Sequence, residues 1–194
     1  MPETISNLLI NGASPVTVGG TGTTAKYFPA VPGASIGVNS TAVGYVYVPG
    51  NNAVNGQSMT ITAVGSYTLD PTDASSPTVL VELVATKNPT AASPTYTIIA
   101  TTGSVASSGI GVASDSFRIQ ASVFGDNISG LLSGNYTAIM NTALKNSPPT
   151  TLTNTVSGLS FSSAVPFALA LRITFSVTGA ANSASLYQFA ISTN

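Results

Sequence analysis

The chain has 194 residues with five basic and six acidic side chains, a formal net charge of -1, and no His, Cys or Trp. Charged residues make up 6% of it, against roughly 25% in an ordinary soluble domain. The missing side chains exclude His- or Cys-dependent catalytic triads, zinc sites with His or Cys ligands, and disulfides.

The remaining composition favours a folded subunit of an assembly. Hydrophobic residues make up 43% of the chain, and the many Val, Ile and Thr residues argue against disorder. The length suits one domain, with or without an extended arm. A surface this poor in charge does little to keep copies apart. Because Lys and Arg are scattered singly, we expect no nucleic-acid partner.

Residues 1–40 differ from the rest of the chain. They contain the Gly-rich run 19–24 and the apolar, proline-interrupted run 27–33, in which each proline disfavours helix in the residue before it. We interpret residues 1–40 as an extended N-terminal arm that lies on a neighbouring subunit, with an ordinary connecting loop as the alternative. The candidate partner contacts in this arm are Tyr27, Phe28, Val31 and Ile36.

Neither export nor membrane insertion is expected. The N-terminus lacks a basic region followed by an apolar stretch of signal-peptide length. The longest apolar stretch, residues 164–171, is far shorter than the roughly 20 residues that span a bilayer.

Residues 41–194 carry the pattern of an all-β domain. Apolar and polar residues alternate with a period of two, and Pro-, Gly- and Asn-containing turns separate the alternating runs. The segment 136–144 fits a strand or a helix, and we favour the strand. The pattern predicts a two-sheet β-sandwich or jelly roll. The predicted strands are 43–48, 57–64, 78–86, 96–101, 117–123, 169–177 and 187–191.

One predicted strand, residues 78–86, is apolar on both faces, which indicates a central strand covered on both sides. It contains Glu82, and the strand at 169–177 contains Arg172. Because burial of a lone charge is unfavourable, each should pair, extend its charged end to water or face a subunit contact. An outward-facing strand position is the commoner explanation.

The acidic residues point to turns more than to chemistry. Asp70 and Asp73 lie three apart in a turn, and Asp126 follows a strand. Aspartates in turns commonly accept hydrogen bonds from nearby backbone. The alternatives are a calcium site at Asp70 and Asp73 and a carboxylate-dependent glycosidase or lyase that uses Asp70 and Asp126. We therefore expect no catalytic residue, no metal and no cofactor.

Segments in the middle and the C-terminal third of the chain also resemble a known group of proteins. The segments VFGDNISGLL (123–132), LSF (159–161), FALALRITFSV (167–177) and ANSASLYQFAI (181–191), together with PGNNAVNGQSMTITAVGSYT (49–68), resemble structural proteins of tailed bacteriophages. Within that group the chain is similar to capsid decoration, or cement, proteins built on β-sandwich or jelly-roll domains.

The resemblance implies a decoration protein on the virion capsid surface, made in the host cytoplasm. Its partner would be the major capsid protein, and the expected oligomer is a trimer, because such shells present three-fold sites. The alternative is a receptor- or carbohydrate-binding module of a tail fibre or other virion appendage. Tyr45, Tyr47 and Tyr67 are its candidate sugar-stacking residues.

Overall fold

The structure is a computed structural model that describes residues 6–10, 16–19, 25–28, 46–48, 58–69, 78–88, 95–106, 114–125, 131–141, 150–162, 165–176 and 182–193. Every regular element in these ranges is a β-strand, and the strands form two antiparallel sheets. Over the same ranges no helix has the length and apolarity needed to cross a membrane. The predicted all-β, two-sheet class is confirmed.

Thirteen strands are seen in the described residues. They are β1 Ser6–Ile10, β2 Val16–Gly19, β3 Lys26–Phe28, β4 Val46–Val48, β5 Ser58–Thr68, β6 Thr78–Thr86, β7 Thr97–Thr101, β8 Val105–Ala106, β9 Ser114–Gly125, β10 Leu131–Met140, β11 Thr150–Ser162, β12 Phe167–Phe175 and β13 Ser183–Thr193.

The strands divide into a seven-stranded and a six-stranded sheet. The first has the order β1-β13-β5-β9-β10-β11, with β2 also paired to β13; the second has the order β3-β12-β6-β7, with β4 on β12 and β8 on β6. Some neighbours, such as β9–β10–β11 and β6–β7, are consecutive in the chain, whereas others, such as β12–β6 and β13–β5, are far apart in sequence. The long-range pairs are therefore set by the global topology.

The core lies between the sheets and follows directly from the alternation. In β5 every second residue is buried, from Met59 to Tyr67, because successive side chains of a strand point to opposite faces. The large buried side chains include Phe117 of β9 and both Phe167 and Phe175 of β12. They all belong to one hydrophobic cluster.

The predicted strands agree well with the observed ones. Strand β6 has the predicted bounds and lies between β12 and β7. It is buried on both faces, as expected, since Val84 is buried although it faces away from the core. Residues 131–140 form a strand, as favoured for the ambiguous segment. Strand β11 was not predicted.

Residues 1–40 differ from the expected arm wherever they are described. Strands β1 and β2 pair with β13, and β3 pairs with β12, so these segments belong to the sheets of the sandwich. Phe28 is only 2% exposed and lies in the core. Phe28 therefore packs inside the sandwich, whereas the expectation was a surface contact. Val31 and Ile36 lie outside the described residues.

The outer face of the seven-stranded sheet is polar but almost uncharged. We call this surface the hydroxyl face, after the Ser and Thr side chains that dominate β5, β9, β10 and β13. Arg118 is its one charged residue among the described side chains of these four strands, and it donates a hydrogen bond from Nη2 to Gln120 Oε1 at 3.1 Å. The face comprises Ser58, Thr60, Thr62, Val64, Ser66, Thr68, Ser116, Arg118, Gln120, Ser122, Phe124, Ser133, Asn135, Thr137, Ile139, Ser183, Ser185, Tyr187, Gln188, Ala190 and Ser192.

Candidate functional site

Three chemically distinctive side chains lie in one row across the outer face of the six-stranded sheet. Arg172 of β12 pairs directly with Tyr27 of β3 on one side and with Glu82 of β6 on the other. The chain neighbours of Arg172, Leu171 and Ile173, belong to the core. Because residues directly opposite each other share a face of the sheet, the whole row points away from the core.

Arg172 and Glu82 form a close ion pair within this row. Arg172 Nε and Nη2 both approach Glu82 Oε2, at 2.8 Å and 2.7 Å. The glutamate side chain is 6% exposed and the arginine side chain 22%. Two donors on one carboxylate oxygen hold the guanidinium in a fixed orientation. Both charges that the sequence placed inside strands therefore face outward and satisfy each other.

Two tyrosine rings lie beside this ion pair. The rings of Tyr27 and Tyr96 stack with centroids 4.8 Å apart and planes inclined by 25°. Tyr27 belongs to β3, and Tyr96 immediately precedes β7. Two strands, β12 and β6, lie between β3 and β7. The strands β3 and β7 are therefore about 14 Å apart across the sheet. The two side chains therefore reach towards each other over the middle of the face.

Two small side chains occupy the outward-facing row next to that of Arg172 and Glu82. Val84 and Ala170 pair with each other in this row. Both are buried although they lie outside the core cluster. The outer face of β12 and β6 is therefore covered at this row.

Asn88 fixes the position of Tyr96. Its Oδ1 accepts hydrogen bonds from Thr86 Oγ1 at 2.9 Å and from the backbone N–H of Thr95 at 3.3 Å. The backbone N–H of Asn88 donates in turn to Thr86 Oγ1 at 3.3 Å. One amide side chain thus links the end of β6 to the residue before Tyr96. This link holds the residues that lead into β7 in a defined place.

The surroundings favour the charged form of Arg172 and the neutral form of Tyr96, because the pKa values of both groups are raised. The pKa of Arg172 is raised: burial opposes this, but the hydrogen bond to Glu82 and its negative charge outweigh burial, and Tyr27 adds to the effect. The pKa of Tyr96 is raised well above its ordinary value by burial and by the neighbouring Tyr27 phenol, and Arg172 partly offsets this shift. The buried Tyr96 hydroxyl makes no geometrically good hydrogen bond within the described residues.

The raised tyrosine pKa values predict a loss of stability in alkali. Burial, with the nearby charge of Asp115, also raises the pKa of Tyr67 well above 10.0. Above pH 10 these tyrosines ionise in the unfolded chain but stay protonated in the folded one, so the unfolded state binds fewer protons. The free energy of unfolding should then fall by about 1.4 kcal/mol per pH unit for each tyrosine.

Chemical denaturation at several pH values between 9 and 12 would measure this slope. The Tyr67→Phe variant should show about half the alkaline slope of the parent chain if the two tyrosines dominate it. A slope that is unchanged in this variant would contradict the assignment to Tyr67.

Of the three predicted sugar-stacking residues, the structure describes the side chain of Tyr67 only. Tyr67 is buried in the core, where its hydroxyl donates to the backbone carbonyl of Asn141 at 2.8 Å; the prediction that it stacks on a sugar is wrong. Tyr45 lies outside the described residues. Tyr47 belongs to β4, and its backbone pairs with that of Ala168 in β12. Tyr96 was not predicted as a site residue, because no local pattern marks it.

The predicted acidic sites are not tested. Asp70, Asp73 and Asp126 lie outside the described residues. Among the residues that are described, no group of three or more Asp and Glu side chains could hold a metal ion. The side chains that the described fold does bring together are Tyr27, Tyr96, Arg172 and Glu82.

Comparison with known proteins finds similarity only among solved structures. No protein-family model and no curated protein matches the chain. The winged bean acidic lectin complexed with methyl-α-D-galactose and the lectin from Bauhinia forficata in complex with GalNAc each align with a TM-score of 0.41, 9% identity, and 99% coverage of both chains. The Lotus tetragonolobus seed lectin aligns with a TM-score of 0.39 and 9% identity, over 99% of this chain and 98% of the lectin. At this level of similarity, what these lectins bind is not carried over to the chain.

Proposed function

We propose that the chain is a carbohydrate-binding β-sandwich module without catalytic activity, the receptor-binding part of a tail fibre or other virion appendage. The observation that carries this proposal is the stacked pair Tyr27 and Tyr96 beside the Arg172–Glu82 ion pair. The placement in a virion rests on the sequence resemblance to tailed-phage structural proteins.

The chemistry of the four side chains suits a sugar. A phenol ring offers an apolar face to the C–H groups of a pyranose, and since the Tyr96 hydroxyl is buried, the ring is the part of Tyr96 that would contact the sugar. Arg172 is partly exposed and held in place by Glu82, so it can donate hydrogen bonds from a preorganised guanidinium. A rigid aromatic surface with a few fixed polar groups is the usual composition of a small-molecule site.

The charge of the site favours a neutral sugar. Glu82 compensates the positive charge of Arg172 within the row, so the site carries no net charge from these two groups. An acidic sugar would compete with Glu82 for the guanidinium and would approach a buried carboxylate of the same sign. We therefore expect neutral hexoses or N-acetylhexosamines to bind, and sialic or uronic acids to bind more weakly.

Titration calorimetry with monovalent glycans, chosen from a glycan-array screen of the intact chain, would test the proposal. Tyr96→Ala should lower the affinity about tenfold through lost ring contact, whereas Tyr96→Phe, which keeps the ring, should bind within about twofold of the parent chain. Tyr187→Ala, which removes an exposed tyrosine on the opposite sheet, is the matched control. Absence of binding to every glycan, or equal losses in Tyr96→Ala and Tyr187→Ala, would overturn the proposal.

A second candidate function is favoured by the hydroxyl face. A surface of Ser, Thr, Asn and Gln can be buried against another protein without removing ions from water. This property supports a capsid decoration protein that binds the major capsid protein lattice and stabilises the head by binding only the assembled form. A trimer on the three-fold sites of the shell would strengthen binding through effective concentration.

Cryo-electron microscopy of the intact particle separates the two candidates. Density for the chain on the head surface, with the hydroxyl face against the shell, would support decoration and reject the appendage. Density in a fibre, with the Tyr27–Tyr96 surface exposed, would support the carbohydrate-binding module.

A further inference from the structure

We propose that the hydroxyl face binds the same face of a second copy of this chain, so that the sandwich forms a two-fold symmetric dimer through its seven-stranded sheets. This inference does not depend on carbohydrate binding, because the two surfaces lie on opposite sides of the sandwich.

The chemistry of the hydroxyl face is complementary to itself. Each Ser and Thr hydroxyl both donates and accepts hydrogen bonds, and each Asn and Gln amide carries a donor and an acceptor group. In a two-fold dimer the same patch must pair with itself. A face with one sign of charge could not do this, whereas a face of hydroxyls and amides can. Arg118, its one charged residue among the described side chains, already donates to Gln120.

The size of the face matches what a stable dimer needs. Strands β13, β5, β9 and β10 are adjacent in the sheet, and each has 10 to 12 residues. Four strands of that length cover about 19 Å by 35 Å, or roughly 700 Å². Specific interfaces bury about 800 Å² per partner. Two such sheets also pack face to face in the aligned geometry common to sandwiches.

Two aromatic side chains give this face its anchors. Phe124 is 43% exposed and Tyr187 is 36% exposed. Phe124 pairs with Ser58 at one end of β5, and Tyr187 lies at the bulge of β13 near the other end, where its hydroxyl is 2.8 Å from Ser66 Oγ. Anchors of this kind usually lie in well-packed positions of an interface.

The positions of the anchors fix the symmetry axis. We place a two-fold axis in the plane of the face, over the middle of β5 near Thr62. This axis brings Phe124 of one copy onto Tyr187 of the other copy, and Tyr187 of the first copy onto Phe124 of the second. Arg118 pairs with Val64, away from this axis, so the two guanidinium groups lie on the order of 13 Å apart if the sheets are treated as flat. Thr62 then meets its own counterpart close to the axis.

Sedimentation equilibrium of the intact chain over a wide concentration range tests the inference. The parent chain should form a dimer, and Thr62→Lys, which places two like charges near the axis, should raise the dimer dissociation constant at least tenfold. Phe124→Ser should raise it by a similar factor. Thr174→Lys makes the same exchange on the outer face of the six-stranded sheet and should leave the dissociation constant within twofold.

The thermal midpoint of each variant shows that it is folded, and hydrogen–deuterium exchange provides a second readout. On dilution from dimer to monomer, the backbone of β5 and β9 should lose protection while that of β12 does not. A parent chain that stays monomeric at all concentrations would overturn the inference. So would a trimer, which would favour the decoration protein, or equal effects of Thr62→Lys and Thr174→Lys.

Discussion

Replacing Gly134 with alanine is expected to lower the free energy of unfolding by about 3 kcal/mol or more. Gly134 lies in β10, opposite Val123 of β9, at an irregularity in its pairing with β11. An added Cβ would overlap the backbone carbonyl oxygen of Ser122 and lie 2.9 Å from the Cα of Val123. These are backbone atoms of a strand paired on both sides, so they cannot move without breaking the β5–β9–β10 ladder.

Urea denaturation of the Gly134→Ala variant would measure this effect, with Gly103→Ala as the matched control. Gly103 has a φ of +65°, and its added Cβ would lie 3.2 Å from Cδ1 of Leu152. That atom is the end of a flexible side chain and can move aside, so the control should lose only about 1–2 kcal/mol through its left-handed backbone. If Gly103→Ala proved more destabilising than Gly134→Ala, the close contact in β10 would not limit stability.

The sequence predicts the centre of this fold better than its edges. Strand β6 is recognisable because it is apolar on both faces, and this property comes directly from its position between β12 and β7. Strand β11 ends the path of its sheet and consists largely of Thr, Ser and Asn. A strand with one neighbour in its sheet needs fewer apolar residues, so its periodicity is weak.

The same reasoning explains the interpretation of residues 1–40. Strands β1 to β3 have three to five residues each, which is too short for a period of two to be distinguished from chance. Their strand conformation depends on β12 and β13, which lie more than 140 residues further along the chain. Local composition therefore favoured an arm.

The candidate site could be predicted only in part. The position of Glu82 and Arg172 inside strands already required that their charges be satisfied. Their pairing with each other spans 90 positions and follows from the antiparallel register of β6 and β12. Tyr27 and Tyr96 meet because two other strands lie between β3 and β7 in the sheet. No spacing in the sequence encodes that distance.

Arg172→Met is expected to be more destabilising than Glu82→Met, and the double variant less destabilising than either. The first change leaves a carboxylate with a 6% exposed side chain unpaired, whereas the second leaves a guanidinium that is 22% exposed and can reach water. We expect losses of about 3 kcal/mol and about 1–2 kcal/mol, and a double variant within about 1 kcal/mol of the parent chain. Urea denaturation of all four proteins closes the double-mutant cycle, and additive losses would show that the pair is not coupled.

The double variant also separates the two roles of the ion pair, because it should be folded and nearly as stable as the parent chain. If Arg172 and Glu82 serve only the fold, its affinity for neutral glycans should equal that of the parent chain. If Arg172 donates hydrogen bonds to the sugar, as proposed, calorimetry should show at least a tenfold loss of affinity in a protein whose stability is unchanged. Native-like stability with lost binding would therefore assign the pair to recognition, since its contribution to folding can be replaced by two apolar side chains.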